Sequence, residues 1–139
     1  GRNVMNRDVK PDNVGFDGQG NVKLFDLGLA KELKPSSAIN SASSSRDEDE
    51  DPSQRLYNLT GRTGSRAYMS PEVARSLPYG LPADVHSLSI LLWEACSLRP
   101  PFDGLSAADR DGLVAGGCCL RPDSPELLRL FRSRSSRPA

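Results

Sequence analysis

The segment at positions 6–15 constrains this chain more than any other, because one short loop carries an acid, a lysine and an amide. These are Asp8, Lys10 and Asn13, and a second acid, Asp26, follows after a short apolar stretch. Phosphoryl transfer needs these groups: a carboxylate to accept a hydroxyl proton, a cation for the moving phosphate, and two oxygen ligands for magnesium. A fold that uses this chemistry has to bring the four side chains together.

A β-hairpin is predicted directly after this loop. The strand candidates 14–17 and 21–25 flank Gly18-Gln19-Gly20, a pattern typical of two strands joined by a tight turn. Antiparallel pairing places the start of the first strand beside the end of the second. We therefore expect Asn13 and Asp26 to be neighbours, with Asp8 one loop away.

Length, charge and cysteine content limit the class of protein. The 139 residues, 37 % of them apolar, suggest at most one small domain. The formal net charge of zero favours neither nucleic acid nor membrane as a partner, and we see no transmembrane segment or signal peptide. Cys96, Cys118 and Cys119 have neither disulfide nor zinc-site spacing. We expect reduced thiols in a cytoplasmic or nuclear protein.

Positions 35–55 differ in composition from the rest of the chain. They are rich in serine and acids, and Ile39 is the only large apolar residue among them. Such a segment cannot bury enough apolar surface to offset its ordering entropy, so we predict a disordered loop. The acidic run 47–51 lacks the alternating ligands and central glycine of a calcium loop, which excludes that function.

Helices are predicted in the second half. Positions 70–75 suggest a short helix with Pro71 in its first turn. The clearest helix spans 84–96, where Asp84 can cap the start and apolar residues on almost all sides predict a buried central helix. We expect Pro100-Pro101 to end it. Weaker helices are predicted at 106–115 and 124–132.

Four blocks in order, at positions 6–13, 26–28, 64–72 and 84–94, resemble the C-terminal lobe of a protein kinase. The resemblance is good over about 1–104 and loose afterwards. It implies a mainly α fold with a small β-hairpin, a kinase-like C-lobe of the α+β family, truncated and without the N-lobe.

The resemblance also divides the chain and suggests its group. It implies one partial kinase domain over 1–139, with catalytic and metal loops at 1–28, an activation segment at 26–72 that contains the insert at about 35–55, a central helix region at 73–104, and divergent, shortened C-terminal helices at 105–139. The lysine two residues after the acid resembles serine/threonine kinases. The sequence at 90–94, with Pro101-Phe102, resembles the tyrosine-kinase-like group.

Site roles follow from the same resemblance. Asp8 is the expected catalytic base, and Lys10 the expected cation for the transferred phosphate of ATP. Asn13 and Asp26 are expected to hold magnesium and the nucleotide. Ser65 resembles a hydroxyl residue that bonds the catalytic acid and lysine.

Regulatory residues are also implied. Arg7 resembles the arginine that grips a phosphate on the activation loop, although an ordinary surface cation is the alternative. Thr60 and Thr63 are then the predicted sites for an upstream kinase.

Two structural acids complete the resemblance. Asp84 resembles the acid that bonds the catalytic-loop backbone. Glu72 resembles a glutamate that pairs with a downstream arginine, for which Arg137 is the available candidate. We interpret His86 and Trp93 as packed helix residues rather than as a catalyst or a ligand contact.

Two departures from the kinase pattern affect the expected function. Asn6 stands where most kinases have histidine, which we expect to lower the stability of the active state. The sequence contains no glycine-rich loop, strand lysine or hinge, so the chain alone is expected to be nearly inactive. Two functions follow: ATP-dependent phosphorylation of serine or threonine in a protein substrate, or a non-catalytic pseudokinase or interaction module.

Overall fold

A computed structural model of the chain describes residues 3–39 and 52–115. The strands β2 (Val14–Phe16) and β3 (Val22–Leu24) form one antiparallel sheet, and β1 (Val4–Met5) and β4 (Lys31–Glu32) form another. None of the helices described is long and apolar enough to cross a membrane. The regular elements are, in chain order, β1 Val4–Met5, β2 Val14–Phe16, β3 Val22–Leu24, β4 Lys31–Glu32, α1 Pro71–Ala74, α2 Pro82–Ser97 and α3 Ala107–Ala115.

The β2–β3 hairpin forms where the sequence predicts it. Val14 pairs with Leu24, and Phe16 pairs with Val22. The carboxylate of Asp17 accepts hydrogen bonds from the backbone N–H of Gln19 and Asn21, each at 2.9 Å. Bonds from Asn21 lower the pKa of Asp17 to about 2. The turn is therefore closed by an acid that stays ionised at neutral pH.

The second sheet corrects the predicted fold, which contained only one hairpin. Val4 pairs with Glu32 and Met5 with Lys31, and a bond from the Leu33 N–H to the Asn3 carbonyl continues the pairing. Strands of two residues are too short to show an alternating pattern, so the sequence does not reveal them. This sheet ties the start of the 6–13 loop to the chain that follows Asp26.

Helix α1 lies within the predicted 70–75 segment, whereas α2 differs from its prediction at both ends. It begins at Pro82, and its N-cap residue, Leu81, makes no side-chain capping bond. Asp84 lies in the first turn and does not cap the helix. The helix ends before the two prolines, because Leu98 adopts a left-handed conformation with φ 54° and its N–H bonds to the Glu94 carbonyl.

The prediction that α2 is buried on almost all sides is wrong. Ala83 and Ile90 are its buried residues, whereas Val85, Leu88 and Leu92 are 65 %, 45 % and 53 % exposed. Its apolar residues are distributed around the whole helix, but the core packs against one side of it. An all-round apolar sequence therefore identified a helix without determining how much of it is covered.

Among the described residues the core consists of two clusters. The buried members of the first are Met5, Leu33, Tyr57, Val73, Tyr79 and Ala83. This cluster includes β1, the strand that leads into the 6–13 loop, and therefore supports that loop. The second cluster contains Ile90 and Phe102, against which Tyr68, Leu105 and Leu113 pack.

The ends of the predicted insert lie side by side. Short 3₁₀ turns form at Pro35–Ser37 and Pro52–Gln54. Ala38 pairs with Tyr57, and the Ile39 N–H bonds to the Leu56 carbonyl at 2.9 Å. The predicted disorder is therefore wrong at 35–39 and 52–55, whereas positions 40–51 lie outside the described residues. Also outside them are Cys118, Cys119, Arg137 and the predicted helix at 124–132.

Candidate active site

The carboxylate of Asp8 is held by three other residues of the predicted site. Its Oδ1 accepts the backbone N–H of Ser65 at 2.8 Å. Its Oδ2 lies 3.1 Å from both the Lys10 ammonium and the Asn13 amide nitrogen. The fold therefore brings the 6–13 loop and the segment before α1 together at this carboxylate.

The environment of Asp8 stabilises its ionised form. Burial raises the pKa of Asp8, but hydrogen bonds from Ser65 and Lys10, with the charge of Lys10, outweigh burial and lower it below its usual value. Asp8 is consequently an anion throughout the neutral pH range. It can accept a hydrogen bond from a hydroxyl group placed beside it.

Asn13 connects the 6–13 loop with the hairpin. It is buried and ends the 3₁₀ turn Pro11–Asn13. Its side-chain nitrogen donates to the Asp8 carbonyl at 2.9 Å as well as to the Asp8 carboxylate. Its own carbonyl accepts the N–H of Phe25 at 2.8 Å. Hence Asn13 lies opposite the residue before Asp26, as antiparallel pairing requires.

Asp26 occupies a strained turn beside the hairpin. It has a positive φ of 52°, is exposed, and accepts the Gly28 N–H through Oδ1 at 3.1 Å. Within the described residues the Asn13 side chain bonds only through its nitrogen, and Asp26 bonds through Oδ1, so the Asn13 side-chain oxygen and Asp26 Oδ2 are two candidate oxygen ligands for a metal. Over residues 3–39 and 52–115 no cluster of three or more His, Cys, Asp or Glu side chains could hold a metal. Two oxygens still suit magnesium, which typically takes few protein ligands and completes its shell with water and phosphate.

Asp84, which lies on α2, holds the start of the 6–13 loop. Its two carboxylate oxygens accept the backbone N–H groups of Asn6 and Arg7, at 2.6 and 2.9 Å. Arg7 has a left-handed backbone with φ 70°, which an arginine adopts only under such constraint. This use of both oxygens explains why Asp84 does not cap its own helix.

Asn6 is buried and only partly satisfied. Its side-chain oxygen accepts the Asp8 N–H at 3.0 Å. Its side-chain nitrogen is buried and has no partner within the described part of the chain. A buried donor without a partner costs about 1–3 kcal/mol. The expected effect of asparagine on the stability of the active state stays a prediction.

The Arg7 side chain links the 6–13 loop to Leu29 directly and to Thr60 through the Tyr79 hydroxyl. Its Nε donates to the Leu29 carbonyl at 2.7 Å, and its Nη1 lies 3.5 Å from the Tyr79 hydroxyl. That hydroxyl donates to the Thr60 carbonyl at 2.7 Å, although Tyr79 is only 1 % exposed. Sequence analysis missed Tyr79, because a single loop tyrosine between Pro78 and Gly80 has no periodic or spacing signal.

The segment that carries the predicted phosphosites approaches the loop closely at Gly64. A Cβ atom at Gly64 would overlap the Arg7 carbonyl oxygen, and its φ of +94° favours glycine. Thr60 is exposed, whereas the half-buried Thr63 donates its hydroxyl to the Thr60 carbonyl at 2.8 Å. Ser65 contacts Asp8 through its backbone N–H.

A second contact that the sequence did not predict joins this segment to α2. The Tyr68 hydroxyl donates to the Glu94 carboxylate at 2.6 Å. Burial raises the pKa of Tyr68, and the bond to Glu94 raises it further, so the phenol remains a donor. No local sequence pattern predicts this contact, because 26 positions separate the two residues.

The remaining predicted residues lie away from Asp8. Glu72 is half-buried in α1, and its expected partner, Arg137, lies outside the described residues. His86 and Trp93 are half-buried on α2. His86 has a buried Nδ1 with no partner among the described residues, and neither side chain lies in the Asp8 cluster.

Comparison with known proteins identifies the family. The sequence model described as "Protein kinase domain" matches residues 1–115. This chain belongs to the protein kinase domain family. The kinase resemblance inferred from the four blocks is thus confirmed at the level of the family, and the three helices and two small sheets belong to a kinase domain fragment.

Several curated kinases are similar to the chain. Human serine/threonine-protein kinase Nek2 is 34 % identical over 117 residues, 84 % of this chain but 22 % of that protein. The G2-specific protein kinase fin1 of Schizosaccharomyces pombe is 34 % identical over 76 % of this chain and 12 % of its own length. The dual specificity protein kinase shkB of Dictyostelium discoideum is 36 % identical over 74 % and 13 %. The chain therefore spans at most about a fifth of these relatives.

Proposed function

We propose that this kinase domain fragment is the catalytic C-lobe of a serine/threonine protein kinase, which transfers the γ-phosphate of ATP to protein hydroxyls. The observation that carries this proposal is the Asp8 carboxylate bound by Lys10, Asn13 and the Ser65 N–H. Similarity to kinases named as serine/threonine kinases supports the class of acceptor.

Each residue of the cluster has a distinct proposed task. Asp8 accepts the hydrogen bond of the substrate hydroxyl and takes its proton as the hydroxyl oxygen bonds to the γ-phosphorus. The bond from that phosphorus to the bridging oxygen breaks, and ADP leaves with its electron pair. Lys10 balances the charge of the moving phosphoryl group. Asn13 and Asp26 would hold magnesium, which when bound neutralises charge on the phosphates.

The finer assignments are also proposals. The sequence at 90–94, with Pro101-Phe102, supports the tyrosine-kinase-like group. We propose a cytoplasmic or nuclear protein whose partners are a protein substrate and an upstream kinase that acts on the activation segment. Nucleic acid and membrane are not proposed as partners, because the formal net charge is zero.

The 139 residues alone are expected to transfer little or no phosphate, whereas a version extended by the N-terminal lobe of a related kinase is expected to be active. The reason is that the sequence holds no glycine-rich loop to cover the ATP phosphates, and positioning supplies most of the rate. Transfer of radiolabel from ATP to a generic protein substrate, with magnesium, measures this.

The added N-terminal lobe by itself is the control for contaminating activity. Robust turnover by the 139-residue chain would show that it needs no further nucleotide-binding element. No transfer by the extended version would instead support a non-catalytic interaction module.

Phosphorylation of Thr60 or Thr63 is expected to increase the protection of amides 56–65 against hydrogen exchange. Within residues 3–39 and 52–115 the Arg7 side chain hydrogen-bonds only to neutral acceptors, the Leu29 carbonyl and the Tyr79 hydroxyl. A phosphate near Arg7 would instead form charge-assisted bonds, which are stronger. Hydrogen exchange followed by mass spectrometry, with and without the modification, measures the change.

Arg7→Ala tests this switch and is expected to remove the gain in protection. Arg62→Ala is the matched control. Arg62 is an exposed arginine in the same segment, and its replacement is expected to leave the gain intact. Equal protection of the modified and unmodified chains, or a gain that survives Arg7→Ala, would remove the switch.

A further inference from the structure

An arginine pair lies beside the candidate acceptor site and is not used by the proposed chemistry. Arg66 directly follows Ser65, whose N–H contacts the Asp8 carboxylate. Arg110 lies on α3, and the two arginines line one small cavity of about 30 Å³ together with Asp111 and His86. The fold thus joins two segments 44 positions apart into one basic site.

This site has more positive than negative charge. Asp111 pairs with Arg66 at 3.3 Å, and both side chains are more than half exposed. One carboxylate therefore faces two guanidinium groups. Burial lowers the pKa of Arg110, Asp111 acts in the opposite direction, and the charge of Arg66 lowers it again.

We propose that Arg66 and Arg110 select substrate polypeptides that carry an anionic side chain within a few residues of the acceptor hydroxyl. A polypeptide whose hydroxyl approaches Asp8 passes Arg66, because one extended residue spans only about 3.3–3.6 Å. An exposed ion pair contributes little stability, so Arg66 can exchange Asp111 for a substrate anion. The cavity holds no more than a water molecule, so the anion binds at the exposed guanidinium of Arg66.

The proposal rests on the proposed kinase function only in naming the bound peptide a substrate, so its test measures binding without nucleotide. Three fluorescent serine peptides differ at one flanking position, which is glutamine, glutamate or phosphoserine. Fluorescence anisotropy with the 139-residue chain gives their affinities at low salt. The two anionic peptides are expected to bind about two- to fivefold more tightly than the glutamine peptide. Tighter binding of the phosphoserine peptide than of the glutamate peptide would identify a pre-phosphorylated substrate. Equal affinities of these two peptides would identify an acidic substrate.

Variants with opposite expected effects separate this role from general loss of structure. Arg66→Gln is expected to remove most of the preference for anionic peptides. Asp111→Asn is expected to strengthen it, because the internal competitor is removed. Arg99→Gln, an exposed arginine that does not line the cavity, is expected to change nothing.

Equal binding of the glutamate and glutamine peptides, or a preference that survives Arg66→Gln, overturns the proposal. Weaker anion binding by Asp111→Asn also overturns it. Failure of phosphate transfer by the version extended with an N-terminal lobe, while the preference persists, overturns the kinase function and leaves the anion site standing. The reverse result leaves the kinase function and removes the site.

Discussion

Asp8→Asn is expected to lower the turnover of the extended, active enzyme by about 10²–10⁴-fold, the range for loss of a general base. The change removes the anionic oxygen that orients and accepts the substrate proton. The NH₂ group of the new asparagine also faces a donor in either orientation: Lys10 and Asn13 at the Oδ2 position, or the Ser65 N–H at the Oδ1 position. Initial rates of radiolabel transfer at saturating ATP measure the effect on kcat.

The matched control is Asp12→Asn, the same change at an exposed acid four residues along the same loop. Asp12 makes no hydrogen bond or ion pair within the described residues, so turnover is expected to stay near normal. Thermal unfolding of both variants separates a chemical effect from a loss of folded protein. Near-normal turnover of folded Asp8→Asn would show that Asp8 is not the base.

Asp84→Ala is expected to lower the free energy of unfolding by about 2–6 kcal/mol, because it leaves two partly buried backbone donors without an acceptor, at about 1–3 kcal/mol each. The carboxylate of Asp84 is the acceptor for the N–H groups of Asn6 and Arg7. Without it the left-handed backbone of Arg7 has lost a constraint, and the 6–13 loop is expected to move. Urea unfolding of the chain measures the stability.

Hydrogen exchange at the amides of Asn6 and Arg7 reports the same contact locally. Asp84→Asn retains one acceptor and is expected to fall between wild type and Asp84→Ala. Asp103→Ala, at an exposed acid, is expected to have little effect. Unchanged stability of Asp84→Ala would mean that water or another group satisfies the two donors.

Local sequence patterns determined the hairpin and the positions of the helices. A glycine-containing turn between two apolar runs can close in only a few ways, so the predicted pairing and the neighbourhood of Asn13 and the Asp26 turn follow from residues close in sequence. Proline at a first helical turn likewise located α1. The four ordered blocks suggest the kinase family without any information on the tertiary structure.

Contacts between distant residues could not be predicted in this way. The two-residue strands β1 and β4 carry no periodic pattern, and Tyr79 stands alone in a loop. The exposure of α2 depends on which of its sides the core covers, and its own all-round apolar pattern does not specify that.

By itself the sequence determined the chemistry that this protein has available: an acid, a lysine and oxygen donors at fixed spacings around a hairpin. Only the tertiary structure decided how those groups are held. Ser65 reaches Asp8 across 57 positions, and Asp84 reaches the Asn6 amide across 78. The physical reason is that hydrogen-bond geometry is set by packing between segments, whereas a sequence pattern reports only what neighbours along the chain can do.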